Sequence, residues 1–373
     1  MKITLAATLR HYDKKNFIKD LLAGIIIMAV SIPISMGYAQ IAGLPAVYGL
    51  YGSVFPILIF ALSSTSPQFI FGVDAAPAAL IGSALLSLHI ESGSEEAMAV
   101  VPVLTFFVAL WLLAFYIMKA GKLVNYISAP VMGGFITGIC TTIILMQVPK
   151  LMGGSAGTGE FFELAEHIIK TAKDINWQSV VLGLAALVLL LVCKKLIPKF
   201  PMAVLLMIAG AGMTYLLPIE DWGVQTLASV DTGLPHWAVP DFSVISIREA
   251  VTISLSVAVV IMAETLLAEN NFAQKNGYRI NDNQEILAFS MGNFLAAFTG
   301  CCPINGSVSR TAMGEQYQAK TQLTGIIAGL SMIIVLVCAT GFIGYLPVPV
   351  LTAIVISALL GATEFDLAAR LFK

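Results

Sequence analysis

The sequence predicts an all-α polytopic membrane protein, and three observations carry that prediction. Of 373 residues, 58% are hydrophobic and only 11% are charged, where a soluble domain carries about 25% charged residues. Mean hydropathy is +0.89. Apolar stretches of spanning length recur along the whole chain, and a helix satisfies its backbone within one such stretch. This composition excludes a large soluble enzyme, because so few charges cannot cover a water-facing surface of that size. It also excludes disorder, because apolar burial is plentiful.

Twelve spans follow in order. The first, 20–40, comes after a polar, basic segment that has no small-residue cleavage site and so does not read as a cleaved signal peptide. A second lies at 46–62. The third, 72–90, is interrupted by Gly72 and Pro77 and contains Asp74. Spans at 97–118 and 124–147 are followed by a polar outer segment, 150–176, with a helix-like run from Glu160 to Lys173. Spans at 177–197 and 201–218 precede a second polar segment, 219–246. The eighth, 247–268, is rich in Ala, Val and Ser and contains Glu264. Four more lie at 284–299, 304–315, 322–344 and 348–363, and the short tenth contains Gly306 and Arg310. Both outer segments are too short to be domains.

Charge placement sets the orientation. With the N-terminus inside, fifteen of the 20 Lys and Arg residues fall in inner loops, and four (Lys150, Lys170, Lys173 and Arg248) fall outside. That is the positive-inside pattern, so the N-terminus is expected to be cytoplasmic in a multi-pass protein of the cell's inner (plasma) membrane. Outer segments carry Glu91, Glu95, Glu96, Glu160 and Asp231 among their acids, which read as a solvated face. The net charge of −2 offers nothing for nucleic acid. Cys140, Cys193, Cys301, Cys302 and Cys338 lie in or beside apolar stretches, with no histidine at metal-ligand spacing; they read as packing residues, with no metal and no cofactor expected.

Three ionisable residues at membrane depth are the informative ones: Asp74, Glu264 and Arg310. Such groups are costly there and mark functional sites by default. The structural alternative is that they pair with one another and hold helices together. Asp74 precedes Ala75-Ala76-Pro77, and Arg310 follows Asn305-Gly306-Ser307-Val308-Ser309. Each stretch reads as an irregular entry followed by a helix start: Pro77 fits a first helical turn, and Ser307 is a capping hydroxyl. Two half-helices starting inside the membrane would offer free N–H groups and dipole ends to an anion. Their occurrence in both halves of the chain is the pattern of a transporter's midplane site. Glu264 is read either as a group that takes up and releases a proton or as the permanent counter-ion of Arg310.

Three stretches resemble the sulfate permease family, also called solute carrier 26. They are Asp20 through Pro33 to Tyr51, Glu264-Thr265 through Gly277-Tyr278 and Asn283-Gln284-Glu285 to Asn293, and Pro303 through Gly306-Ser307-Val308-Ser309-Arg310-Thr311-Ala312. The resemblance covers essentially all of residues 1–373. It implies an inverted-repeat fold of the 7+7 type with core and gate domains. The core falls at about 18–120 and 247–344 and the gate at about 123–218 and 347–373; the last two spans and the STAS domain are expected to be absent from this chain. It implies an anion site at Asp74-Ala75-Ala76 and Ser307-Val308-Ser309, with Arg310 adding positive charge, and coupling to a proton or sodium ion at Glu264 or Asp74. Ile34 stands where many members have a Gln that contributes to the anion site, and Asp74 stands where they usually have no carboxylate.

The expected function is secondary active transport of a small inorganic or organic anion (sulfate, bicarbonate or a dicarboxylate) by alternating access, in a homodimer surrounded by membrane lipid. A nucleobase transporter of the same fold is the alternative, with Asp74 and Ile34 in its favour. An enzyme is not expected: there is no Asp pair of an intramembrane protease, no His cluster and no Ser-His arrangement. A paralogue that moves without transporting is a further reading.

Overall fold

The structure is a computed structural model that describes residues 6–9, 12–121, 129–155, 157, 161–197, 200–227, 232–338 and 340–362. Inner-loop Lys2, Arg10, Lys122, Lys199, Arg370 and Lys373, outer Glu160 and Asp231, and the end of the expected gate at 363–373 lie outside these residues.

The first expected span is α1 (Phe17–Ile41), which continues through Pro33. The second is two helices rather than one, α2 (Val47–Tyr51) and α3 (Phe55–Ser63). The break falls at Gly52, where a Cβ would stand 2.6 Å from both Cys301 Sγ and Val73 Cγ2. Pro56 then opens α3, with no N–H to carry a helix on from α2. The third is a two-residue strand, β1 (Phe71–Gly72), leading into α4 (Ala75–Ser87). Next come α5 (Glu95–Ile117), α6 (Ala129–Leu151), the outer helix α7 (Phe161–Thr171), α8 (Trp177–Leu196) and α9 (Met202–Leu216). The eighth span, α10 (Ile247–Asn276), runs past the expected end at 268 and stops where Gly277 turns left-handed at φ 72°. Then follow α11 (Asp282–Phe298), β2 (Asn305–Gly306), α12 (Val308–Gln316), α13 (Leu323–Cys338), α14 (Thr340–Gly344) and α15 (Val348–Ala362).

Four stretches among the described residues are long and apolar enough to cross a membrane: Lys14–Ile41, Glu95–Ile117, Trp177–Leu196 and Ile247–Asn276. The shorter apolar helices have 10–17 residues, below the roughly 20 that a full crossing takes. The third and tenth spans, expected to be interrupted, are each a short strand followed by a helix, and the second is divided as well.

The chain forms two compact units. One comprises residues 1–134 and 234–333. Within it α11 packs on α3 and α5, α10 on α4 and α5, and α1 on α2, α4 and α12. Its centre holds a stack of Phe60, Phe71 and Phe289, with centroids 4.7 Å apart for Phe60–Phe71 and 5.5 Å for Phe71–Phe289. Such pairs add about 0.5–1.5 kcal/mol each beyond simple burial. The other unit comprises residues 135–233 and 334–373, in which α15 packs on α8 and α9. Along α8, Val181, Leu184, Val188 and Val192 are exposed. A face that apolar suits hydrocarbon rather than water.

Candidate functional site

β1 and β2 pair antiparallel, Phe71 opposite Gly306 and Gly72 opposite Asn305. Each strand is only two residues long, and each leads almost at once into a helix. Antiparallel pairing therefore sends α4 and α12 away in opposite senses, with both N-termini beside the strand pair. At 13 residues α4 rises about 20 Å, and at 9 residues α12 about 14 Å. Both fall short of a bilayer core of about 30 Å.

The side chains near the strands explain why the sequence folds this way. Gly306 can bear no side chain, since a Cβ would lie 2.1 Å from Phe69 Cε1 and 2.5 Å from Thr265 Cγ2. The Gly306 N–H donates to Thr265 Oγ1 at 3.1 Å, tying β2 to α10. Ser307 caps α12: its Oγ accepts from the Arg310 N–H, and its own N–H donates to Ile70 O at 2.8 Å. Thr311 Oγ1 accepts from the Ile70 N–H at 3.0 Å. Asp74 caps α4, accepting from the Ala75 N–H at 2.7 Å.

The structure brings most of the sequence-predicted residues together. Ala75 and Ala76 form the first turn of α4, and Val308 and Ser309 that of α12. First-turn N–H groups such as those of Ala76, Val308 and Ser309 have no intrahelical acceptor. Arg310 is 1% exposed. Its Nη2 donates to Val73 O and stands 3.6 Å from Asp74 Oδ2. Gly72 makes room for the guanidinium, because a Cβ there would be 3.0 Å from Nη1. Arg310 therefore takes Asp74 as its counter-ion. Glu264 accepts instead from Asn305 Nδ2 at 2.9 Å. Two buried polar atoms at the strand pair, Arg310 Nε and Asn305 Oδ1, have no hydrogen-bond partner among the described residues. Ile34 is fully buried in α1, and the α1 residue close enough to act on Arg310 is Tyr38, one turn further on.

Asn305, Thr265 and Tyr38 escaped the sequence reading as site residues. Their signal was present but weak: each is an uncharged polar residue in a quoted stretch, and only the fold shows which ones reach the strand pair. Charge alone made Asp74, Glu264 and Arg310 conspicuous.

Residues 17–373 match the model of a family described as the sulfate permease family. A relative named "Probable sulfate transporter" from Mycobacterium tuberculosis is 29% identical over 97% of this chain and 65% of its own length. Sulfate transporter 3.1 of Arabidopsis thaliana is 30% identical over 97% of this chain and 57% of its own. The chain thus spans less than two thirds of the length of either relative. Among solved structures, the murine Solute Carrier 26 family member A9 anion transporter in its inward-facing state superposes with a TM-score of 0.85 at 23% identity. That match covers 98% of this chain and 65% of the other. The transmembrane domain of a cyanobacterial bicarbonate transporter, BicA, gives 0.84 at 19% identity, covering 99% of this chain and 93% of that one. At these identities the structural matches establish the fold alone, that of an all-α polytopic membrane domain.

Proposed function

This chain belongs to the sulfate permease family, and from that premise we propose that it carries a small anion across a membrane by alternating access. The anion binds between the N-termini of α4 and α12. The observation that supports this reading is the strand pair itself, beside which two helix starts and a buried arginine come together. Free first-turn N–H groups of Ala76, Val308 and Ser309 and the helix dipoles attract the anion. Asp74 is neutralised by Arg310, so the carboxylate does not repel it outright, and the unpaired Arg310 Nε is a further donor.

The substrate class is sulfate, bicarbonate or a dicarboxylate; sulfate and bicarbonate are named for proteins that this chain resembles. Coupling to a proton or sodium ion falls to Glu264, with Asp74 as the second candidate. Glu264 touches the strand pair through Asn305, so its charge state is felt where the anion binds. The unit at 1–134 and 234–333 acts as the transport core, the unit at 135–233 and 334–373 as the gate, in a dimer with a cytoplasmic N-terminus.

The test is uptake by purified protein in liposomes, offered sulfate, bicarbonate and a dicarboxylate at two pH values, with and without sodium. Saturable uptake of at least one anion is expected, unaffected by excess uracil or xanthine. Absence of uptake for every anion, or competition by the nucleobases, overturns the reading.

A further inference from the structure

A second buried acidic site lies on α10 and α11. Glu269 is five residues beyond Glu264 on α10, about 7.5 Å along the axis. It is 0% exposed, and neither carboxyl oxygen has a hydrogen-bond donor among the described residues. What its carboxyl meets is another carboxyl, that of Glu285 on α11, also 0% exposed.

Glu285 already accepts three hydrogen bonds and keeps one acceptor site, on Oε2. Its Oε1 accepts from the Thr65 N–H at 2.6 Å and from Thr65 Oγ1, and its Oε2 accepts from Ser64 Oγ at 2.7 Å. Thr65 Oγ1 in turn accepts from the Asn281 N–H at 2.9 Å, so the α3–β1 loop is stitched to the start of α11. Three donors aimed at one carboxyl satisfy it as an acceptor. A second carboxylate pressed against it, dry and without a donor of its own, would be costly twice over: it would be desolvated, and it would face a like charge. Among the described residues no Lys or Arg is paired with either carboxyl, and Arg279 in the α10–α11 turn is exposed. Asp282 on α11 adds further negative charge and is itself occupied by Asn270 Nδ2 at 3.1 Å. Tyr278, in the α10–α11 turn, is neutral and hydrogen-bonded to Ser66. The charged residues of α5, Glu95 and Glu96, are at its opposite end, α4 and β2 contain none, and Lys119 just beyond α5 is exposed. Lys275 on α10 is engaged by Glu315 of α12.

From this geometry we infer that Glu269 and Glu285 form a proton-binding site, in which Glu269 holds the proton and donates it to Glu285. The site is distinct from Glu264 and does not depend on the transport reading. Its ligand is a single proton, not a metal ion, because a metal would require acceptor oxygens where Glu285 meets O–H and N–H donors. The shared proton fastens the inner part of α10 to α11 and, through Ser64 and Thr65, to the loop that enters β1. Removing it would leave two carboxylates in contact and loosen that junction.

The experiment is infrared spectroscopy of the full chain in liposomes at neutral pH, reading the carbonyl stretch of protonated carboxylic acids. Wild type is expected to show a signal that is lost in Glu269→Gln and kept in Glu264→Gln, and that is unchanged when sodium is replaced by choline. Gln is isosteric with a protonated Glu and can donate to Glu285, so this variant is expected to fold. Glu285→Gln is the second arm: it changes the acceptor, and the Glu269 signal is expected to shift to a weaker hydrogen bond. If wild-type and Glu269→Gln spectra superimpose, the inference fails. It also fails if the signal responds to sodium, or if Glu285→Gln leaves the signal in place.

Discussion

Arg310 shows how one residue can hold together a site built from two halves of the chain. It caps nothing itself, yet it reaches the carbonyl of Val73 and the carboxylate of Asp74, and so it joins the entry of α4 to the first turn of α12. Arg310→Gln removes the charge and leaves Asp74 without its partner. Anion affinity is expected to fall about tenfold or more, since a hydrogen bond to a charged group contributes about 1.5–3 kcal/mol; isothermal titration or uptake at graded sulfate concentration measures it. Arg310→Lys keeps the charge but not the planar fork that spans two acceptors, so only partial recovery is expected. Glu264→Gln mimics the protonated carboxyl and can still accept from Asn305. If Glu264 is the coupling group, this variant loses pH-driven accumulation in liposomes while retaining anion exchange. Accumulation equal to wild type under an imposed pH gradient would transfer the role to Asp74 or to sodium.

At the scale of elements, the entry to α13 is held by a buried carboxylate of α1. Asp20 of α1 is 0% exposed. It accepts from the backbone N–H groups of Lys320 at 2.6 Å and Thr321 at 3.3 Å, and from the hydroxyls of Thr321 and Thr324. These are the residues that lead into α13. Asp20→Ala orphans several buried donors at once and is expected to destabilise the protein by about 1–3 kcal/mol, read as a lowered melting midpoint in detergent. Gly306→Ala is expected to abolish transport while leaving distant helices intact, because the added methyl cannot fit between Phe69 and Thr265; circular dichroism beside an uptake assay separates the two effects. Much of this level was legible beforehand. Apolar runs located most helices to within a few residues, and Pro77 and Ser307 marked two helix starts. The split of the second span was not legible, because it depends on Gly52 meeting Cys301 and Val73, partners remote in sequence. Nor was the pairing of β1 with β2, since two residues per strand leave no alternation to read. The choice of Asp74 over Glu264 as the partner of Arg310 is of the same kind: charge made all three conspicuous, and only the fold brings two of them to 3.6 Å.

For the whole molecule, two compact units built from interleaved segments suit a mechanism in which one body carries the site and moves against the other. Spin labels, one in each unit, are expected to give distance distributions that shift between substrate-free and substrate-saturated liposomes. A single unshifted distribution across several label pairs would sink the two-body reading. The strand pair also bears on how the protein is made. Phe71 and Gly306 are 235 residues apart in the chain. Closing so long a loop is slow and costly in chain entropy. During synthesis α4 emerges early, too short to cross a bilayer by itself, with its Gly72 and Val73 groups still lacking their partners. It must remain in that unfinished state until residues 305–310 leave the ribosome. The strand pair thus closes late in synthesis, and the interval before it closes is when the nascent chain is most exposed to quality control.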